Sequence, residues 1–448
     1  MAIKEALYPK LMNNLRFVAV EILNAVLHGE SLTDALPRLS GNLSDSDKRF
    51  VQHLLFGTLR QYDALDDRVS QMLSKPIKAA EIEVKLAQIL AAYELTEMAT
   101  AEYAILNNWV NLIKEMGKLW AAGLTNAILR NIQRGKLPPA KFLAGKSNMP
   151  AWFAKRVETQ WGEKALEEIG TFYQLHPEMI LRVNLQKNSR EAYLEKLKAA
   201  SIPAMAHHFV ETAIVLEEPV SVDVLPGFSN GDVSVQDASA QLAAQLLDLQ
   251  EGMIVLDACS APGGKTTAIL ERAPKLQKLV ALDSSKERLT RVVENVERVC
   301  GQVPDFVSIE AIPCEVYETD QMFDRILLDV PCSATGIMHR HPDIKRLRLA
   351  SDINNLKGIQ AEILAHAWKQ LKVGGKLLYA TCSILKDENE QQIRHFLKSE
   401  KSASEIKFEL PFAEARDVGV QILPRYFESE KSVDGFYYAL LEKVAFES

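Results

Sequence analysis

The chain has 448 residues, 47% of them hydrophobic, a net charge of −7 and five cysteines. That length calls for two or three domains with material for a core, and no apolar run approaches the eighteen or so residues of a membrane span. Met1 to Lys10 lacks the long apolar stretch of a secretory leader, and Cys259, Cys300, Cys314, Cys332 and Cys382 are widely spaced with no C-x-x-C pair. A disulfide framework and a zinc ribbon are both disfavoured, and the expectation is a cytoplasmic, metal-free protein.

Residues 1–140 read as an all-helical bundle. Leu15, Val18, Ile22 and Val26 share one helical face with Gly29 as a stop, Ser44 and Asp47 form a capping start for Phe50 to Leu59, and the 3.6 period continues over 82–95, 103–113 and 119–132. Pro138-Pro139 and Gly145 to Pro150 mark a boundary. Residues 141–225 read as a small α/β unit, with a helix over 152–169, a strand over 179–183, a helix over 190–200 and a strand over 213–216. The turns Pro226-Gly227 and Asn230-Gly231 introduce a third region, 226–448, where strands and helices alternate as a doubly wound sheet demands. Its strands are read at 253–256, 279–282, 325–329 and 377–380, and its first two helices at 265–272 and 286–299.

The stretch LDACSAPGGKTT, Leu256 to Thr267, organises that third region. Strand, glycine turn and helix in that order present backbone N–H groups and a helix N-terminus to a ligand beyond the strand's carboxyl end. A phosphate-binding P-loop needs a glycine where Cys259 stands, and G-x-G-x-x-G is absent, so a different cofactor is implied. Asp283, at the end of the next strand, suits a ribose diol or caps the following helix. Cys332 and Cys382 both fall just beyond strand ends on the same rim, where a thiol can become reactive. Cys259 is read as structural within the turn, and Cys300 and Cys314 as small buried hydrophobes. Two basic clusters stand out: Arg130, Arg134, Lys136 and Lys141, and His339, Arg340, His341, Lys345, Arg346 and Arg348.

The motifs ACSAPGGKTT, LLDVPCSATG with the following HPDI, and YATCSI together resemble the RNA cytosine-C5 methyltransferases of the Sun/Fmu type. VSVQDASAQLAA, Val233 to Ala244, is similar to the segment leading into their cofactor domain, and LTNAILRNIQR, Leu124 to Arg134, resembles a NusB-type RNA-binding module. The resemblance implies a class I, Rossmann-like methyltransferase domain behind a NusB-like bundle and a small α/β RNA-binding subdomain. It further implies methyl transfer from S-adenosylmethionine to carbon 5 of a cytosine in an unpaired loop or junction of 16S rRNA by a monomer. By the same resemblance Cys382 is the nucleophile, Cys332 assists adduct release, and Cys259, Ser260, Ala261, Pro262, Gly263, Gly264, Lys265, Asp283 and Asp329 serve the cofactor site. Asp329 is placed on the cytosine edge or the cofactor. DNA cytosine methyltransferases use the proline-cysteine thiol instead, so spacing alone leaves the two cysteines interchangeable. The family's aspartate after the third strand has no match here; Glu310 stands in that region, and whether it substitutes is open at this point. Both basic clusters are expected to meet phosphates. A non-catalytic RNA-binding or antitermination factor on a retained scaffold, and a DNA methyltransferase, are the alternatives.

Overall fold

The computed structural model describes residues 11–141, 148–410, 412–427 and 430–445. Met1 to Lys10, and Gly145 to Ser147 of the boundary stretch, lie outside the described residues. The chain divides into two compact units, Met1–His176 with Met338–Arg348, and Pro177–Ile337 with Leu349–Ser448.

The first unit is helical. Its helices Leu15–Leu27, Asp45–Arg60, Ile82–Glu97, Glu102–Glu115 and Leu119–Gln133 begin and end where the apolar period and its caps direct. Ser44 Oγ accepts from Asp47 N at 3.2 Å, and Gly29 takes a φ of 100°. Leu32–Ser40 and Tyr62–Gln71 are further helices that the periodicity did not single out. The core is aliphatic around the buried Trp109, whose indole N–H donates to Glu94 at 2.7 Å. The helix expected over 152–169 is two, Ala151–Trp161 and Glu163–Phe172. They break at Gly162, whose φ of 88° is open to glycine and strained for other residues. Both pack in this unit, Phe153 against Tyr173 and Phe172 against the His339 ring.

Among the described residues the second unit holds two larger sheets and a two-stranded ribbon. The smaller is antiparallel, in the order β2 (Ala204–Ala206), β3 (Ala213–Leu216), β1 (Ile180–Val183), β4 (Val233–Val235), with the helix Arg190–Ala199 between β1 and β2. Val233–Val235, read from sequence as the approach to the cofactor domain, is thus paired with β1, Leu181 opposite Val235. The larger sheet contains the parallel strands β5 (Ile254–Asp257), β6 (Lys278–Leu282), β7 (Val307–Glu310), β8 (Phe323–Asp329) and β9 (Leu371–Thr381). Antiparallel strands follow: β10 (Ala403–Ile406), β11 (Glu414–Ala415), β12 (Val420–Ile422) and β15 (Phe436–Lys443) in the sheet, with β13 (Arg425–Phe427) and β14 (Glu430–Val433) paired to each other. The order is β11-β12-β15-β9-β8-β5-β6-β7, with β10 on β15.

Because β5, β8 and β9 run through the middle of the sheet, their residues are buried on both faces. Val255, Leu327 and Leu378 enter one core, and Leu256, Leu328 and Tyr379 the other. The helix Lys286–Cys300 shows the pattern that covers such a face: Leu289, Val292, Val296 and Val299 are its buried stripe, and Gly301 ends it at a φ of 86°. The strand order reverses between β5 and β8, so the crevice for a ligand opens at the carboxyl ends of those strands. Among the described residues no helix is long and apolar enough to cross a membrane.

Candidate active site

The turn after β5 is tied to strands on both sides. Ala258 N donates to Leu327 O (3.0 Å), Ser260 N to Leu282 O (2.7 Å), and Gly263 N closes back on Ser260 O (2.7 Å). Gly263 has a φ of 98°, and a Cβ there would stand 3.0 Å from Val292 Cα. Conformation and space both require glycine. The helix Gly264–Arg272 starts directly after it, and Asn295 Nδ2 holds Pro262 O at 3.0 Å.

A cleft of about 440 Å³ opens above this turn, within the usual range for a small-molecule site. Cys259, Ala261, Asp283, Asp329, Cys332 and Cys382 line it together with Arg288, Glu315 and Ile359. Ser260, Pro262, Gly263, Gly264 and Lys265 build the turn beneath. Lys265 Nζ meets Asp329 Oδ2 at 2.6 Å. Burial opposes the ammonium, but the Asp329 carboxylate outweighs it and the Lys265 pKa is raised. Asp257 is fully buried and accepts from Thr266 Oγ1 at 2.7 Å. Burial, reinforced by the Asp329 charge, pushes its pKa up to about 7.

Asp283 Oδ1 accepts from Ser285 N (2.9 Å) and Arg288 Nη2 (2.6 Å), and Oδ2 faces Ala261 N at 3.4 Å. The capping role falls to Ser285, whose hydroxyl accepts from Arg288 N at 3.3 Å. Asp283 is therefore not the cap, and it lines the cleft. Glu310 does not: its carboxylate accepts from Ser308 Oγ at 2.6 Å, and Pro313, Cys314 and Glu315 of the next turn occupy the wall instead.

The two rim cysteines meet, with Cys332 Sγ 3.4 Å from Cys382 Sγ. The hydrogen bond to Cys382, then burial, then the neighbouring negative groups hold the Cys332 thiol well above its ordinary pKa, so Cys332 keeps its proton. Burial likewise raises Cys259, and Cys314 to about 12; these thiols stay unreactive. Sequence reasoning missed Arg288, which its position four residues after Ser284 on a helix start could have suggested. It also missed Glu388, which sits behind both cysteines.

Two further expectations need correction: Cys300, read as a buried hydrophobe, is exposed at the end of its helix, and the second basic cluster is not what its composition suggests. The His339–Arg348 segment is not a uniform surface face: His339 and Lys345 are buried, Lys345 Nζ donates to Arg60 O at 3.0 Å, and Arg346 is paired with Asp63, whereas His341 is exposed and Arg340 and Arg348 are half-buried. The Lys345 and Arg346 charges are thus spent inside the helical unit. Arg130, Arg134, Lys136 and Lys141 are exposed.

Comparison with known proteins agrees with this arrangement. Residues 244–442 match the family described as 16S rRNA methyltransferase RsmB/F, residues 13–134 the NusB family, and residues 149–223 the ferredoxin-like domain of RsmF/B-like methyltransferases. The chain is 41% identical to a Pseudomonas putida protein named ribosomal RNA small subunit methyltransferase B, over 96% of this chain and 99% of that one. The Vibrio cholerae protein of the same name is 39% identical over 96% and 98%. The chain belongs to the RsmB/F methyltransferase family.

Solved structures share the fold of that family at lower identity. The crystal structure of PH0851 superposes with a TM-score of 0.75 at 21% identity, covering 96% of this chain and 99% of that one. A methyltransferase homolog from Pyrococcus horikoshii gives 0.56 at 24%, covering 66% and 95%. The family architecture is accordingly a NusB-like bundle, a small ferredoxin-like α/β unit and an α/β methyltransferase sheet.

Proposed function

We propose that this protein transfers a methyl group from S-adenosylmethionine to carbon 5 of a cytosine in 16S rRNA, through a covalent bond from Cys382 to carbon 6. The observation that carries this is the pair of thiols 3.4 Å apart on the wall of a cleft that also holds Asp283 and Asp329. The residues fit the cofactor: the cleft has the volume, Asp283 stands at the end of the second strand where a ribose diol is held, and the buried Ser260 hydroxyl in the turn lacks a hydrogen-bond partner among the described residues. When bound, S-adenosylmethionine supplies an electrophilic methyl group.

Carbon 5 of cytosine is a weak nucleophile. Adding Cys382 Sγ to carbon 6 moves an electron pair toward carbon 5, which splits one hard step into easier ones. Cys332, which keeps its proton in the contact with Cys382, assists release of the adduct once the carbon 5 proton is lost. Asp329, fixed by Lys265, is placed to hydrogen-bond the cytosine edge or the cofactor. The target base has to leave any stack to reach this depth, which favours an unpaired loop or junction. Relatives named for the small-subunit RNA support the substrate class. Domain limits near 1–140, 141–225 and 226–448 go with this reading.

The test is a denaturing gel of wild type, Cys332→Ala and Cys382→Ala after incubation with small-subunit rRNA transcript and S-adenosylmethionine. A covalent protein–RNA band that accumulates in Cys332→Ala and is absent from Cys382→Ala is expected. The reverse pattern exchanges the two cysteines, and no band or methyl transfer despite RNA binding leaves a non-catalytic RNA binder.

A further inference from the structure

Behind the cleft one carboxylate joins the two loops that carry the cysteines. Ser333 follows Cys332 and Ser383 follows Cys382. Glu388 Oε1 accepts from Ser333 N (2.8 Å) and Gln360 Nε2 (3.0 Å), and Oε2 from Ser333 Oγ (2.5 Å) and Ser383 Oγ (2.7 Å). Thr335 Oγ1 lies 3.2 Å from Ser333 Oγ and 3.1 Å from Ser383 Oγ, and accepts from Ile384 N at 3.1 Å. Glu388, Ser333, Ser383 and Thr335 are all 0% exposed. These four donors to the carboxylate are neutral. Burying a carboxylate among neutral groups is costly, and here its hydrogen bonds are directed at the residues next to the two thiols.

We propose that Glu388 is a positioning residue, a clamp on Ser333 and Ser383 that sets the distance between the Cys332 and Cys382 thiols. Its effect on methyl transfer rests on the covalent reading above; its effect on thiol spacing does not.

The chemistry of the four donors makes the clamp testable. Oε1 faces a peptide N–H and an amide, which can only donate there, whereas Oε2 faces two hydroxyls, which donate or accept. Glu388→Gln fits this cage with its amide oxygen at Oε1 and its NH2 at Oε2, the hydroxyls turning to accept. Glu388→Asp keeps the charge but is one methylene short of spanning both serines. A clamp therefore ranks Gln above Asp, and a role for charge ranks them the other way.

Two measurements apply. The first is capture of the thiol pair by phenylarsine oxide, whose arsenic bridges two nearby sulfurs, with Cys332→Ala as the control. Glu388→Gln should retain capture, and Glu388→Asp should slow it about tenfold or more, because sub-ångström to ångström misplacement is costly at such sites. The second is the rate of covalent band formation in a Cys332→Ala background, scaled to the fraction of protein that binds S-adenosylmethionine in calorimetry. Glu388→Gln should lose less than about fivefold, and Glu388→Asp and Glu388→Ala about thirtyfold or more, with cofactor affinity within about twofold throughout. A merely structural role would lower the binding-competent fraction and leave the scaled rate alone. Equal arsenical capture in Glu388→Asp and wild type, or Glu388→Asp outperforming Glu388→Gln, overturns the clamp. Normal arsenical behaviour with no covalent band in the Cys332→Ala parent sinks the covalent reading alone.

Discussion

Asp257, Asp283 and Asp329 all sit at strand ends around one turn, yet only Asp257 is fully buried. Its folded-state pKa is about 7, against 3.8 in an open chain. Between those values the folded protein binds the proton that the unfolded chain releases, so its contribution to stability falls as pH rises from about 4 to 7 and the full penalty persists above. Asp257→Asn keeps an acceptor for Thr266 and removes the charge. It should unfold later than wild type at pH 8, by on the order of a few kcal/mol, with the gap closing toward pH 4; denaturant melts at the two pH values check this. The cysteine pair was legible in the sequence because strand ends are legible: a β-rich run followed by Pro-Cys-Ser or Thr-Cys-Ser puts the thiol on the ligand rim. Glu388 was not. Lys386-Asp387-Glu388-Asn389-Glu390 looks like a solvated charged run, and what buries its third member is Ser333, far away in the chain. Glu310 failed for the opposite reason, since a serine two residues away claims its carboxylate.

At the scale of elements, the cofactor turn is fastened to the small sheet by one arginine. Arg182, on β1 and 2% exposed, donates through Nε and Nη2 to Glu271 (both 2.8 Å), through Nη2 to Thr267 Oγ1 (2.9 Å), and through Nη1 to Gly264 O (2.6 Å) and to Gln236. Arg182→Ala leaves the Glu271 carboxylate buried without its cation and should cost about 3–5 kcal/mol. The double variant Arg182→Met with Glu271→Leu should recover most of that stability. S-adenosylmethionine binding should stay weakened in both, because Gly264 O has lost its anchor; urea titration and calorimetry separate the two effects. Element types were readable wherever apolar period and caps coincided. Several escaped: the helices Leu32–Ser40 and Tyr62–Gln71, β7 and the strands after β9, the short β2 and β4, which lack a pattern long enough to register, and the break at Gly162, where a single positive-φ glycine divides an otherwise continuous period.

For the whole molecule, a net charge of −7 means that RNA affinity has to rest on local surface. Arg130, Arg134 and Lys136 lie at and just beyond the end of the helix Leu119–Gln133 and are exposed. If they meet phosphates, replacing each by Gln should flatten the plot of log affinity against log salt by about 0.7–0.9 for every phosphate that is no longer neutralised. Lys345→Gln, a change inside the helical core, should leave that slope alone. Filter binding from low to moderate salt measures both. The basic run His339–Arg348 had the composition of a surface patch, and composition does not report burial. Its membership in the first unit also has a consequence for how the protein is made. A chain leaves the ribosome from its N-terminus, so the helices before His176 emerge well ahead of Met338–Arg348, the strip that completes their unit. Until Pro177–Ile337 has been synthesised, Arg60 and Phe172 wait for the His339 and Lys345 contacts that bury them. The first unit to be translated thus stays unfinished through most of the synthesis of the second, and is completed only once Arg348 has been added.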